Sequence, residues 1–261
     1  MRREANLGLN RCLFQAKKEK PVPRIQDAKD RLLAEVDGWY GEFISLAWRL
    51  GSDQGKTFEN EKVEVIYLHG LSVGMVLASL LFDEVGTLYR YHKHFPTIAF
   101  NGSEGQSASK DSKPGDAWPG KDWYFREFLN ALVPQNKLVP TGPGLHTMDE
   151  ADKFIALCKE RGWKNARVVS VPYHGVRSML CMVKAMEKAN YWLRIHFISA
   201  KQTNWQAEMV GAQGTNQNST MLGELPEEVK KIREKYEGGF AATFGELAVY
   251  LDRRDAGVFD N

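Results

Sequence analysis

The sequence predicts an α/β fold: a mostly parallel sheet with helices on both faces, preceded by an N-terminal helix and followed by a C-terminal helical tail. Three observations carry this. Short apolar runs of strand type alternate with longer segments whose apolar residues recur every three or four positions. Turns marked by glycine or proline separate the two kinds of segment. The 261 residues, 43% hydrophobic and 26% charged, supply enough apolar side chain for one substantial core.

Residues 1–23 are basic, with Arg2, Arg3, Arg11, Lys17, Lys18 and Lys20, and end in Pro21-Val22-Pro23, the pattern of a flexible arm. From Arg24 to Leu50, the residues Ile25, Ala28, Leu32, Val36, Tyr40, Phe43 and Ala47 repeat at helical spacing, and Gly51-Ser52-Asp53-Gln54-Gly55 stops that helix. A strand over 63–69, a helix over 73–92 and a strand over 96–101 follow. A loop rich in Ser, Gly and Lys over 102–120 precedes a short aromatic helix over 121–132, whose Trp123, Tyr124 and Phe125 read as packing for that loop. A short strand is expected near Lys137-Leu138-Val139, then a helix over 147–161, a strand over 166–171, a helix over 175–189 and a strand over 193–199. Residues 200–223 are polar and read as irregular, and helices over 225–236 and 243–253 close the chain. The expected organisation is the arm over 1–23, an α/β ligand-binding domain over 24–200, and an extension over 201–261 whose two helices pack on it.

The 35 basic residues nearly balance the 33 acidic ones, giving a formal charge of +2, so nucleic acid is not an expected partner. Cys12, Cys158 and Cys181 show neither even pairing nor metal-ligand spacing, which fits a reducing, cytoplasmic location. The N-terminal residues lack the apolar centre of an export signal. Residues 65–82 contain no Asp, Glu, Lys or Arg, but His69-Gly70 and Gly74 divide them into strand, turn and helix, so no membrane span is expected. His92-Lys93-His94 reads as a solvated helix end without a third ligand, and no metal site is expected.

Chemistry can reside in three segments. Gly70-Leu71-Ser72-Val73-Gly74 follows a strand and opens a helix, so Gly70 and Ser72 either form a tight turn with N–H groups near a bound anion or place Ser72 as a hydrolase nucleophile. In the second case Asp149 or Glu150 and His174 are its partners. Thr141-Gly142-Pro143-Gly144-Leu145-His146-Thr147-Met148-Asp149-Glu150 leads from a turn into a helix. Thr147 and Glu150 have the spacing of a capping box, the helix start favours a phosphate or carboxylate, and His146 at its lip can donate to a ligand or shuttle a proton. In Tyr173-His174-Gly175-Val176-Arg177 a buried strand runs into a helix. Arg177 suits a bidentate anion, and His174 suits acid or base chemistry near neutral pH.

The ordered pair of Thr147 with Glu150-Ala151, then a strand ending in Tyr173-His174-Gly175-Val176-Arg177, resembles the YdcF/SanA/ElyC-like family of uncharacterised α/β proteins across about residues 63–200. The resemblance implies a Rossmann-like parallel sheet and a pocket for an anionic or nucleotide-like ligand, S-adenosylmethionine in one branch. Thr147, Glu150, His174 and Arg177 match best. Where the family has a Gly-rich segment and a Ser-Gly-Gly segment after its first two strands, this chain has His69-Gly70-Leu71-Ser72-Val73-Gly74 and Asn101-Gly102-Ser103-Glu104-Gly105.

The leading expectation is a protein that binds a phosphate-containing or nucleotide-like small molecule, with His174 and Glu150 as candidate catalytic groups for phosphoester or group-transfer chemistry. Gly70, Ser72, Asn101, Gly102, His146, Thr147, Tyr173 and Arg177 are its candidate ligand contacts. Two alternatives stand beside it: a serine hydrolase using Ser72 with His174, and a non-catalytic interaction protein that recruits an anionic partner through its basic arm.

Overall fold

The computed structural model of the protein describes residues 38–55, 62–69, 95–105, 119–199, 206, 208–210 and 218–259. Within them the apolar runs become β1 (Val65–Leu68), β2 (Thr97–Phe100), β3 (Leu138–Pro140), β4 (Asn165–Ser170) and β5 (Arg194–Ser199). These form one five-stranded sheet in the order β3-β2-β1-β4-β5, with every pairing parallel. The chain therefore has the expected α/β architecture with a Rossmann-like sheet. After β1 it builds outward through β2 and β3, then returns to the other flank of β1 with β4. That reversal puts the C-terminal ends of β1 and β4 at the point where parallel sheets of this kind characteristically bind ligands.

Side chains alternate across each strand, which divides the interior into two layers. Val65 and Tyr67 of β1, Val168 of β4 and Phe197 of β5 join one cluster with the helices α1 (Gly38–Gly51), α3 (Thr147–Arg161) and α4 (Gly175–Ala189), together with α5 (Met221–Glu237) and α6 (Phe244–Asp255). Ile66, Leu68, Ile98, Phe100 and Val169 face the opposite layer, where Tyr124 and Phe128 of α2 (Lys121–Asn130) cover them. Burial on both faces explains why β1 reads as a continuous apolar run rather than an alternating one, and why the adjacent Val168 and Val169 of β4 are both buried in opposite layers. Phe154 of α3 stacks on Tyr67 with ring centroids 4.3 Å apart, fixing that helix over the middle of the sheet. Cys158 and Cys181 are buried free thiols, and burial pushes the Cys181 thiol up to about 12, where it behaves as a small core residue.

Several expectations need adjustment. The segment read as irregular over 200–223 contains a small antiparallel pair, β6 (Glu208–Val210) with β7 (Asn218–Thr220), too short and polar to leave an apolar alternation in the sequence. Helix α5 begins at Met221 rather than near 225, because the Thr220 hydroxyl accepts from the Gly223 N–H at 3.0 Å. Pro226 consequently lies inside the helix. Of the helix expected over 24–50, residues 38–51 are helical; residues 24–37, the helix expected over 73–92 and the arm over 1–23 fall outside the described residues. Among the described residues no helix is long and apolar enough to cross a membrane.

Candidate functional site

Four strand ends meet at the reversal point of the sheet. His69 follows β1, Asn101 follows β2, Thr141 follows β3, and β4 leads through Val171 into a short 3-10 turn, Pro172–His174, that runs directly into α4. All of these residues except Pro172 are buried.

The start of α3 is built differently from the expected capping box. His146, extended at φ −153 and ψ 166, is the N-cap, and its Nδ1 accepts from the Asp149 N–H at 3.1 Å. Asp149 Oδ2 in turn accepts from the Leu145 N–H at 3.0 Å. The cap therefore sits one residue earlier than Thr147, and Asp149 rather than Glu150 reaches back. This correction leaves the Thr147 hydroxyl and the Glu150 carboxylate available for other partners. Thr147 Oγ1 accepts from Arg177 at 2.8 Å, and Glu150 Oε1 accepts from Asn101 Nδ2 at 3.2 Å.

Asn101 ties two loops together. Its Oδ1 accepts from the N–H groups of Ser103 and Gly144 at 3.0 and 2.9 Å, and its Nδ2 also donates to Gly144 O at 2.8 Å. Two glycines permit this closeness. A Cβ on Gly102 would overlap the Thr141 carbonyl oxygen, and one on Gly144 would come within 2.6 Å of Glu150 Cγ.

His69 and His174 lie against each other edge to face, with ring centroids 5.6 Å apart. His69 Nε2 faces the Thr147 carbonyl at 3.1 Å, so it carries the proton, and Nδ1 accepts from the Ser178 hydroxyl at 2.5 Å. Glu150 Oε2 stands 3.6 Å from the same Nε2. Burial, then the neighbouring His174 and Arg177, hold the His69 pKa well below its ordinary value. His174 is also lowered, by burial first and the Arg177 charge second, against an opposing pull from Glu228. Tyr67 beneath them is pushed well above the usual phenol range by burial and by the Glu150 charge. Both imidazoles and the phenol are thus neutral at pH 7.

Glu228, from α5, joins the cluster. Its Oε2 accepts from Arg177 Nε at 2.6 Å and its Oε1 from Arg177 Nη2 at 3.0 Å, a bidentate fork. The same Oε2 lies 3.3 Å from His174 Nδ1, and Lys231 Nζ stands 3.6 Å from Oε1. Burial alone would raise the Glu228 pKa, but the Arg177 charge and the His174 contact drive it well below the usual carboxylate range. Arg177 spends three of its five N–H donors on Glu228 and Thr147 and keeps two. Among the described residues His174 Nε2 has no hydrogen-bond partner, although it is buried.

The structure thus brings together Thr147, Glu150, His174, Arg177 and Asn101, with Gly102 beside them. His146 is exposed and occupied as a cap, and Tyr173 is buried in the opposite layer with Val171 and Ile198. Gly70 and Ser72 lie outside the described residues, so the possible serine nucleophile does too. Sequence reasoning missed His69, Ser178 and Glu228. A signal for Glu228 existed: it falls on the stripe of Leu225, Val229 and Ile232, and a carboxylate on the buried face of a helix requires a cationic or donor partner. Comparison with models of known families, with characterised proteins and with solved structures finds no match to the chain.

Proposed function

We propose that the protein binds a phosphate-bearing or nucleotide-like small molecule beyond the C-terminal ends of the strands, in keeping with its resemblance to the YdcF/SanA/ElyC-like family. The observation that carries this reading is His174 Nε2, a buried polar atom with no partner among the described residues, at the reversal point of a parallel sheet where ligands characteristically sit. Around it the donors suit an oxyanion: the two remaining Arg177 N–H groups, and the Thr147 and Met148 N–H groups of α3, which as at any helix start lack intrahelical acceptors, that of Asp149 being taken by His146. Glu150, held by Asn101 at the end of β2, is a carboxylate suited to accept from sugar hydroxyls. This combination favours a nucleotide-like ligand, S-adenosylmethionine included, over a bare anion.

The chemistry best supported is phosphoester hydrolysis with His174 as base. Nε2 takes a proton from water as the water oxygen bonds to phosphorus; the bond from phosphorus to the leaving alcohol oxygen breaks, and that oxygen takes its proton from solvent. Neutral imidazole is the form this step needs, and the lowered His174 pKa supplies it at pH 7.

A thermal-shift series over nucleotides, S-adenosylmethionine and sugar phosphates tests the reading. A ligand at about a hundred times its Kd stabilises the native state by about 2.7 kcal/mol. Thr147→Val and Arg177→Ala should each remove that increment. An unchanged increment in both variants would place the ligand elsewhere.

A further inference from the structure

We infer that Glu228 is a positioning residue for His174, so that helix α5 completes the site by fixing which imidazole nitrogen faces the ligand. This rests on the ligand reading above and extends it to the proton state of the group that meets the ligand.

A carboxylate accepts hydrogen bonds and does not donate them. With Glu228 ionised by its bidentate Arg177 partner, the 3.3 Å contact to His174 requires the imidazole proton on Nδ1. The lone pair is then on Nε2, the buried atom left without a partner among the described residues. Neighbouring groups make the arrangement rigid. Arg177 is anchored on its far side by Thr147, Lys231 approaches the second Glu228 oxygen, and the His69 ring abuts His174 edge to face. His69 cannot exchange roles with His174, because both of its nitrogens are engaged by Ser178 and the Thr147 carbonyl. The pair therefore divides into one structural imidazole and one with an open acceptor.

An open Nε2 acceptor selects a ligand group that brings a proton to it: water or an alcohol, rather than a second carbonyl or a phosphate oxygen without hydrogen. In the site proposed above this is the attacking water or a ligand hydroxyl, while phosphate oxygens go to Arg177 and the α3 start. Glu228 itself touches no ligand and acts through His174 and Arg177.

The test reads the ¹⁵N resonances of the histidine rings in the ligand-free full chain at pH 7.5, so its result does not depend on finding a ligand. Wild type should show His174 as the Nδ1–H tautomer. Glu228→Gln, which keeps an acceptor oxygen, should retain it, whereas Glu228→Leu should lose it. Because Glu228→Leu leaves Arg177 buried without its counter-charge, the paired change Arg177→Met with Glu228→Leu provides a variant without either charge, and it too should lose the Nδ1–H preference. A wild-type His174 protonated on Nε2, or an Nδ1–H form that survives in the leucine variants, would overturn the inference. A failed ligand panel beside a correct tautomer would count against the ligand reading alone.

Discussion

Two buried ion pairs tie the C-terminal helices to the sheet, and they are built for different ends. Asp53 and Arg254 are both fully buried, with Arg254 Nη1 and Nη2 donating to the two carboxylate oxygens at 2.6 and 2.9 Å. Arg254 Nε donates to Asp255 at 2.9 Å, and the remaining capacity goes to the outer edge of β5: Asp53 accepts from the Phe197 N–H, Arg254 donates to Ile195 O, and the nearby Tyr250 hydroxyl accepts from Ile195 N–H while donating to Leu193 O. These side chains close an edge strand that would otherwise present unpaired backbone groups. Arg177 and Glu228 form an equally bidentate pair at the strand ends, but their surroundings retain an unpaired imidazole nitrogen and two spare guanidinium donors. One cluster is saturated and the other has capacity left. Residual hydrogen-bonding capacity, rather than burial or charge, separates the candidate site from the staple.

The largest expected effect falls on the saturated pair. Asp53→Ala leaves the buried Arg254 guanidinium with the partly exposed Asp255 as its remaining counter-charge and should cost about 3 kcal/mol in urea unfolding. A loss under about 1 kcal/mol would end its assignment as a staple. Next comes the contrast between paired replacements. Arg177→Met with Glu228→Leu should return to about 1 kcal/mol below wild type, because hydrophobic substitution of a buried pair is commonly near neutral and one buried donor, the His174 Nδ1–H, loses its acceptor. Asp53→Leu with Arg254→Met should remain down by at least about 2 kcal/mol, since Phe197 N–H and Ile195 O lose partners that no aliphatic side chain replaces. Equal recovery of the two double variants would erase the distinction.

The pH dependence sharpens it further. A histidine whose folded pKa lies below its unfolded value of about 6.5 binds more protons unfolded, so its contribution to stability is full above that pH and is lost as the pH falls toward the folded value. His69 and His174 both shift in this direction. Stability should therefore decline below about pH 6.5, and His174→Gln should reduce the slope by up to about 1.4 kcal/mol per pH unit. An unaltered slope would mean that His174 is not buried in its neutral form. Glu228 contributes in the same direction but at lower pH: its depressed pKa keeps that contribution full above the ordinary carboxylate value of about 4.3, and it is lost progressively as the pH falls through that value toward the folded one. The smallest effect concerns His146. Its replacement by Asn, a better N-cap, should leave stability unchanged or raised by about 0.5 kcal/mol, and any fall in ligand-induced stabilisation would assign the His146 ring a ligand contact beyond its cap.

The parallel sheet was legible because β1 is apolar on both faces, β4 carries the adjacent Val168 and Val169, and both strands sit between segments of helical period. The site was legible as a place more than as a set of bonds. Thr147, Glu150, His174 and Arg177 were found because they stand next to strand ends and helix starts, where local sequence marks position. Their partners were not, because His69, Ser178 and Glu228 reach the cluster across separations of 51 to 109 residues, and pairing at that distance leaves no local pattern. The cap at His146 was missed for a different reason: histidine is an uncommon cap, and Thr147 with Glu150 offered a better motif one position along. Asp53 read as part of a helix stop for the same local reason, and its partner Arg254 stands 201 residues away.

The most direct test of the central claim is calorimetric titration of the nucleotide, S-adenosylmethionine and sugar-phosphate panel into wild type and into His174→Gln. At least one ligand should bind wild type, and its affinity should fall tenfold or more in the variant. Equal affinity for the two proteins, or no binding by any member of the panel, would contradict the assignment of the strand-end cluster as a phosphate or nucleotide site.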